Sequence, residues 1–75
     1  MTTLAQLAVG ARGRVETIRD ADEVSMRLLE MGVTPGTDVT IVGYAPLGDP
    51  LELELRGYHL SIRKYEAERV EVEIV

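Results

Sequence analysis

The chain has no cysteine, no tryptophan and no phenylalanine, and only one histidine. Without cysteine there are no disulfides and no thiolate zinc sites, so stability has to come from one compact core. The same absence fits a reducing compartment. Cations are also scarce: 8 Lys and Arg stand against 13 Asp and Glu, a net charge of −5. A nucleic-acid binder needs a cationic footprint to displace counterions, so nucleic acid is excluded as a partner. No apolar run approaches the ~20 residues that cross a bilayer. The opening "MTTLAQLAVG" lacks the basic and long apolar regions of a signal peptide. A cytoplasmic protein that does not itself span a membrane is expected.

What is present is a chain of 75 residues, which predicts a single domain over 1–75. A domain of this size buries only about 60% of the surface its unfolded chain exposes. Thr3 is placed to cap a short helical turn over Leu4 to Leu7, ended by Gly10. Val15 to Ile18 reads as a first strand. Asp20, three residues before Glu23, has capping-box spacing for a helix over Ala21 to Met31. Gly32 is its expected left-handed stop, and Pro35 and Gly36 make a type II turn. "DVTIVGY", Asp38 to Tyr44, is a β-branched strand.

Ala45 to Gly48 reads as a type I turn, with Pro46 second and Gly48 fourth. Asp49 is pushed toward an extended conformation by Pro50, so the loop should be stiff. A two-residue II′ loop at Gly57-Tyr58 then sets a hairpin register, with Leu55 facing Leu60 and Leu53 facing Ile62. On the other side Glu52 faces Arg63, Glu54 faces Ser61 and Arg56 faces His59. Tyr65 to Arg69 is a polar connection with room for one helical turn. Val70, Val72 and Ile74 alternate with Glu71 and Glu73 in a last strand. About five short strands with one inserted helix predict a mainly β fold, a small five-stranded SH3-like barrel, which removes exposed edges. A split β sandwich is the alternative.

No catalytic constellation is visible. Ser25 and Ser61 lack a nucleophile-elbow context, and neither a dinucleotide fingerprint nor a P-loop occurs. The acids at 52, 54, 71 and 73 are explained as the outer faces of strands. His59 is a weak metal candidate, because the expected register puts cationic Arg56 opposite it and supplies no second or third ligand. No cofactor is expected beyond weak association of a divalent ion such as Fe2+ with the acidic surface.

Two apolar features stand out. On a helical wheel Leu28 and Met31 lie within about 40° of Val24 and form the core face. Met26 and Leu29 fall on the far side. Either the N-terminal turn, with Leu4 and Leu7, folds over this second stripe, or the stripe meets a partner. Leu47 raises the same choice. It plugs one end of the barrel, which the need for end caps favours, or it is held out for a partner on a pre-ordered loop.

From Arg27 to Val72 the chain resembles the FeoA family, small accessory proteins of bacterial ferrous iron transport. The residues that carry the likeness are Arg27, Leu28, Met31, Gly32, Pro35, Gly36, Ala45 to Pro50, Gly57, Glu66 and Ala67, with Leu4, Leu7 and Gly10 matching the family's opening. The resemblance implies an SH3-like barrel that regulates the membrane GTPase-transporter for ferrous iron by protein contact, without catalysis. On that expectation Met26, Leu29 and Leu47 are the candidate partner-binding residues. Leu28, Gly32, Pro35, Gly36, Pro46, Gly48, Asp49, Pro50 and Gly57 are fold determinants. The same barrel closes metal-dependent repressors, so a metal-binding or metal-sensing domain using His59 is the alternative. A polyproline-binding module needs clustered aromatics, and Tyr44, Tyr58 and Tyr65 supply little for one.

Overall fold

The computed structural model describes residues 2–75. Six antiparallel strands form one sheet: β1 (Thr2–Thr3), β2 (Arg12–Ile18), β3 (Asp38–Tyr44), β4 (Leu51–Leu55), β5 (Tyr58–Ile62) and β6 (Val70–Ile74). Their order is β1-β6-β2-β3-β4-β5, all pairs antiparallel. A short helix α1 (Glu23–Glu30) follows β2, and a one-turn helix α2 (Lys64–Ala67) precedes β6. The expected mainly β architecture with an inserted helix is present. Among the described residues, however, the ladder has six strands rather than five, and hydrogen bonds do not close it, so β1 and β5 are its edges.

The core is built from alternate positions. Leu51, Leu53 and Leu55 of β4 are buried while Glu52 and Glu54 face out. Val39 and Ile41, Val15, Val70 and Val72, and Ile62 supply the other strands, and Leu4, Leu7, Leu28 and Val33 close the core. The 3₁₀ turn at Leu4–Gln6 forms where Thr3 was expected to cap it; the Thr3 N–H donates to Gln6 Oε1 at 2.8 Å. Leu4 and Leu7 point inward, so this turn seals the core and leaves the far stripe of α1 uncovered.

Three expectations need correction. First, α1 begins two residues later than expected. Asp22, not Asp20, is its cap, accepting from the Ser25 N–H (3.1 Å) while the Asp22 N–H donates to Ser25 Oγ (2.9 Å). Asp20 lies outside the helix at φ +62°. Second, the β4–β5 turn is Arg56-Gly57, with φ +50° and +82°, the two positive values of a type I′ turn. The register is therefore Leu55↔Tyr58, Leu53↔Leu60 and Leu51↔Ile62, with Glu54 opposite His59 and Glu52 opposite Ser61. The slip is two residues, so every side chain keeps its expected face. Arg56 tolerates its left-handed backbone in a tethered setting: Nη2 donates to Thr37 Oγ1 (2.9 Å) and Thr34 Oγ1 (3.2 Å). Third, β6 does not alternate cleanly. Glu71 is 8% exposed and Ile74 65%. β6 is sandwiched between β1 and β2, and a bulge between Val15 and Thr17 shifts its register. The Glu71 carboxylate is met by Arg19 Nε at 3.6 Å.

Candidate functional site

The C-terminal end of α1 is fixed against the β4–β5 hairpin. Gly32 has φ +100° and ends the helix as expected. A Cβ at this position would collide with the Tyr58 hydroxyl, which donates to the Met31 carbonyl. The positive φ is what requires glycine here, and the Tyr58 hydroxyl, on an exposed side chain, lies against the same position. Leu28 is fully buried, and Val24 and Met31 pack on the core beside it.

The outward face of the same helix is different. Met26 is 62% exposed and Leu29 43%. Nothing in the N-terminal turn reaches over them, so the reading in which Leu4 and Leu7 cover the stripe is excluded.

α1 is joined to α2 through a carboxylate that belongs to no chemical motif of the chain. Glu66 is 1% exposed. Its Oε1 accepts from the Arg63 N–H at the start of α2 (2.8 Å), and its Oε2 pairs with Arg27 Nη2. A buried carboxylate needs such partners, because its unpaired charge would be costly to bury. Arg27 and Glu66, far apart in the chain, are one contact.

The other end of α1 is also held by charge. Asp22 pairs with Arg69 in the connection before β6. The Arg69 guanidinium, and then the Ser25 N–H, hold the Asp22 carboxyl well below its ordinary 3.8, at about 2. The same contact raises Arg69. Across the β2–β3 ladder, the hydrogen bond from Arg14 lowers Asp38.

Leu47 stands on the β3–β4 loop and is 96% exposed. It is not the end plug that small barrels were expected to need. The loop below it is closed by backbone: the Gly48 N–H donates to the Ala45 carbonyl (2.7 Å) and the Ala45 N–H to the Pro50 carbonyl (2.9 Å). Asp49 Oδ1 accepts from the Lys64 N–H (3.0 Å), so the loop caps α2 from outside. The Asp49–Pro50 peptide bond is cis, a geometry not anticipated from the sequence. Pro35 and Gly36 form their turn, with Gly36 at φ +91°.

α2 thus connects the two exposed features. Lys64 receives the Leu47 loop, Glu66 holds α1, and Tyr65 between them is 53% exposed. Sequence reasoning missed α2 as the joint. The signal available was Glu66 at the third helical position after Arg63, a capping spacing.

His59 is exposed on the outer face of β5. Its neighbour is Glu54, not Arg56, with Nε2 to Oε2 at 3.7 Å. The correction removes the cation that argued against a ligand role and supplies one carboxylate. Among the described residues no three His, Asp or Glu side chains converge. Tyr44 and Tyr58 use their hydroxyls on the Leu7 and Met31 carbonyls, in two separate places. They do not pair into an aromatic groove. Among the described residues no helix is long and apolar enough to cross a membrane.

Comparison with known proteins places this geometry. The chain is 32% identical over 72 residues to an Fe(2+) transport protein A/Fe(2+) transporter FeoB fusion protein of Porphyromonas gingivalis, covering 96% of this chain and 8% of that one. It is similar to the solution structure of iron(II) transport protein A from Clostridium thermocellum, with a TM-score of 0.93 and 35% identity over 99% of this chain and 46% of that one. It is also similar to the crystal structure of Stenotrophomonas maltophilia FeoA complexed with zinc, described as an SH3 domain protein (TM-score 0.86, 31% identity, 97% and 91% covered). The chain therefore spans less than half the length of the first two. The FeoA domain model matches residues 2–74, and with these likenesses it shows that the chain belongs to the FeoA family and has its SH3-like fold.

Proposed function

We propose that this chain is a non-enzymatic accessory protein of ferrous iron transport that acts in the cytoplasm by contact with the membrane GTPase-transporter. The observation that carries the reading is the fused relative, in which a domain like this one is part of the same polypeptide as the transporter. Fusion keeps two partners at high effective concentration, and separate chains need a docking surface instead. Leu47, Met26 and Leu29 are the proposed docking residues. They are large, apolar and exposed, and they sit on segments ordered by Asp49, Arg27 and Glu66. A pre-ordered apolar contact binds with less loss of conformational entropy.

The test is calorimetric binding to the purified GTPase region of the cognate transporter, with GDP and with a non-hydrolysable GTP analogue. Saturable binding that differs between nucleotides, and is weakened at least tenfold by Leu47→Asp or Leu29→Asp, is expected. Unchanged affinity in both variants would remove the proposed surface. No binding in either nucleotide state would remove the GTPase region as the partner.

A further inference from the structure

We infer that the free edge of β5 accepts an extended segment of another protein, which adds a strand and places an arginine in the hollow beside Ser61 and Glu52. The two edges of the sheet are treated differently. β1 is two residues long, and shortness protects an edge. β5 has five residues, "YHLSI", with no lysine, no proline and a regular register. It carries none of the usual devices that prevent pairing.

The hairpin geometry says which groups are free. A two-residue turn makes Leu55–Tyr58 a hydrogen-bonded pair, so Leu53–Leu60 and Leu51–Ile62 are hydrogen-bonded pairs too. The N–H and C=O of His59 and Ser61 therefore point away from β4. Among the described residues β5 has no strand on that side. Tyr58, His59 and Ser61 are exposed along it.

The outer face next to this edge specifies the side chain. A hollow of about 230 Å³ is lined by Gly43, Tyr44, Ala45, Pro50, Glu52 and Ser61. Ser61 pairs with Glu52, and Glu52 with Gly43, so the hollow runs across three strands from the free edge. Gly43 leaves it open, since a Cβ there would touch nothing. A residue of an added strand opposite Ser61 projects to this face. A long side chain from that position crosses the small Ser61 toward the exposed Glu52 carboxylate, which has no ion-pair partner among the described residues. The apolar walls suit a methylene stem, and the carboxylate suits a guanidinium fork. Glu54, exposed two pairs along on the same face, adds to the negative field.

A second copy of the chain is the wrong occupant. Its β5 carries no Arg or Lys to reach Glu52, and pairing joins two chains of net charge −5. The inference does not depend on which protein supplies the segment, and it uses none of the residues proposed above for transporter contact.

The test uses 15N-labelled full-length protein and a short blocked peptide of alternating Thr and Val around one central Arg. The same peptide with a central Glu is the control. Saturable shifts centred on the His59 and Ser61 amides, with slowed exchange of both, are expected. The Glu peptide and the Glu52→Lys variant should each bind about tenfold more weakly or less, the worth of one charge-assisted pair. Ser61→Pro should abolish binding with the fold intact, because its N–H makes no ladder bond. If Ser61→Pro does not fold, the Glu52→Lys comparison decides alone. Absence of shifts at His59 and Ser61, equal binding of the two peptides, or peptide-free self-association through this edge would each overturn the inference.

Discussion

α1 and the Ala45–Pro50 loop both carry exposed apolar side chains, but they are held in opposite ways. The helix is anchored by burial: Leu28 is in the core, and Arg27 reaches a carboxylate that is itself buried. The loop contributes nothing comparable to the core. It is closed by two backbone hydrogen bonds, and its Asp49 side chain accepts from the Lys64 N–H of α2. In the helix, presentation and stability are therefore coupled, residue beside residue. In the loop they are separate, and the exposed leucine can be changed without touching what orders it.

The sharpest form of this comparison is between adjacent leucines. Leu28→Ala should cost about 2–5 kcal/mol, the range for a fully buried leucine that leaves a cavity. Leu29→Ala should cost under about 1 kcal/mol, as for a substitution outside the core. Urea denaturation measures both. Equal losses would show that the outer stripe is part of the core after all.

Next in size is the buried acid. Arg27→Ala leaves the Glu66 carboxylate with only the Arg63 N–H and should cost about 1–3 kcal/mol. Adding Glu66→Gln should restore part of that loss, since the amide oxygen still accepts from Arg63 but carries no charge. A double-mutant cycle with no coupling would break the idea that this pair joins α1 to α2.

The loop should respond less. Asp49→Ala removes the acceptor for the Lys64 N–H and should cost about 0.5–1.5 kcal/mol, with faster amide exchange at Lys64. Amides of α1 should be unaffected. If they also exchange faster, helix and loop form one cooperative unit and the contrast drawn above fails.

Much of this molecule was legible from its sequence, and the misses share a cause. Alternation in "LELEL" placed Leu51, Leu53 and Leu55 in the core, because a strand with one buried face needs period two. The same alternation cannot distinguish a register from one shifted by two residues. That choice fell to the turn, where Gly57 serves as the second residue of a I′ turn rather than the first of a II′ turn. What settles it is Arg56 reaching Thr34 and Thr37, a contact between distant segments. The helix start failed likewise. Asp20 has the Asp-x-x-Glu spacing and Asp22 does not, yet Asp22 caps the helix through Ser25, and Arg69, 47 residues away, is its partner. Glu71 looked like an outer-face acid until β1 was laid beside β6. The candidate residues are easier to name than to place: Met26, Leu29 and Leu47 each admit a core role as well as a partner role from sequence, and only tertiary structure shows that all three are exposed.

Acid sets a smaller and more local difference between the two regions. The folded pKa of Asp22 is depressed to about 2, below its ordinary 3.8. Its contribution is therefore complete above the unfolded value and is lost as pH falls from about 4 through 2. The α1 end of the molecule should loosen over that window. Asp22→Asn should flatten the acid-side fall in stability and remove the titration expected at the Ser25 amide. An unchanged acid profile would assign the loss to other carboxylates.

The smallest expected effect is at the most exposed side chain. Leu47→Asp should change stability by less than about 0.5 kcal/mol, because a side chain that touches almost nothing in the folded state loses almost nothing on replacement. The loop bonds at Ala45, Gly48, Asp49 and Pro50 involve no atom of Leu47. The variant is thus a clean separation of presentation from folding: the melting curve should stay in place while the proposed binding to the transporter's GTPase region should drop. Leu29→Asp lacks this advantage, since Leu29 is partly covered and its loss mixes packing with contact. A large destabilisation by Leu47→Asp would mean that the leucine folds back onto the barrel in solution, and the loop would then be a plug rather than a handle.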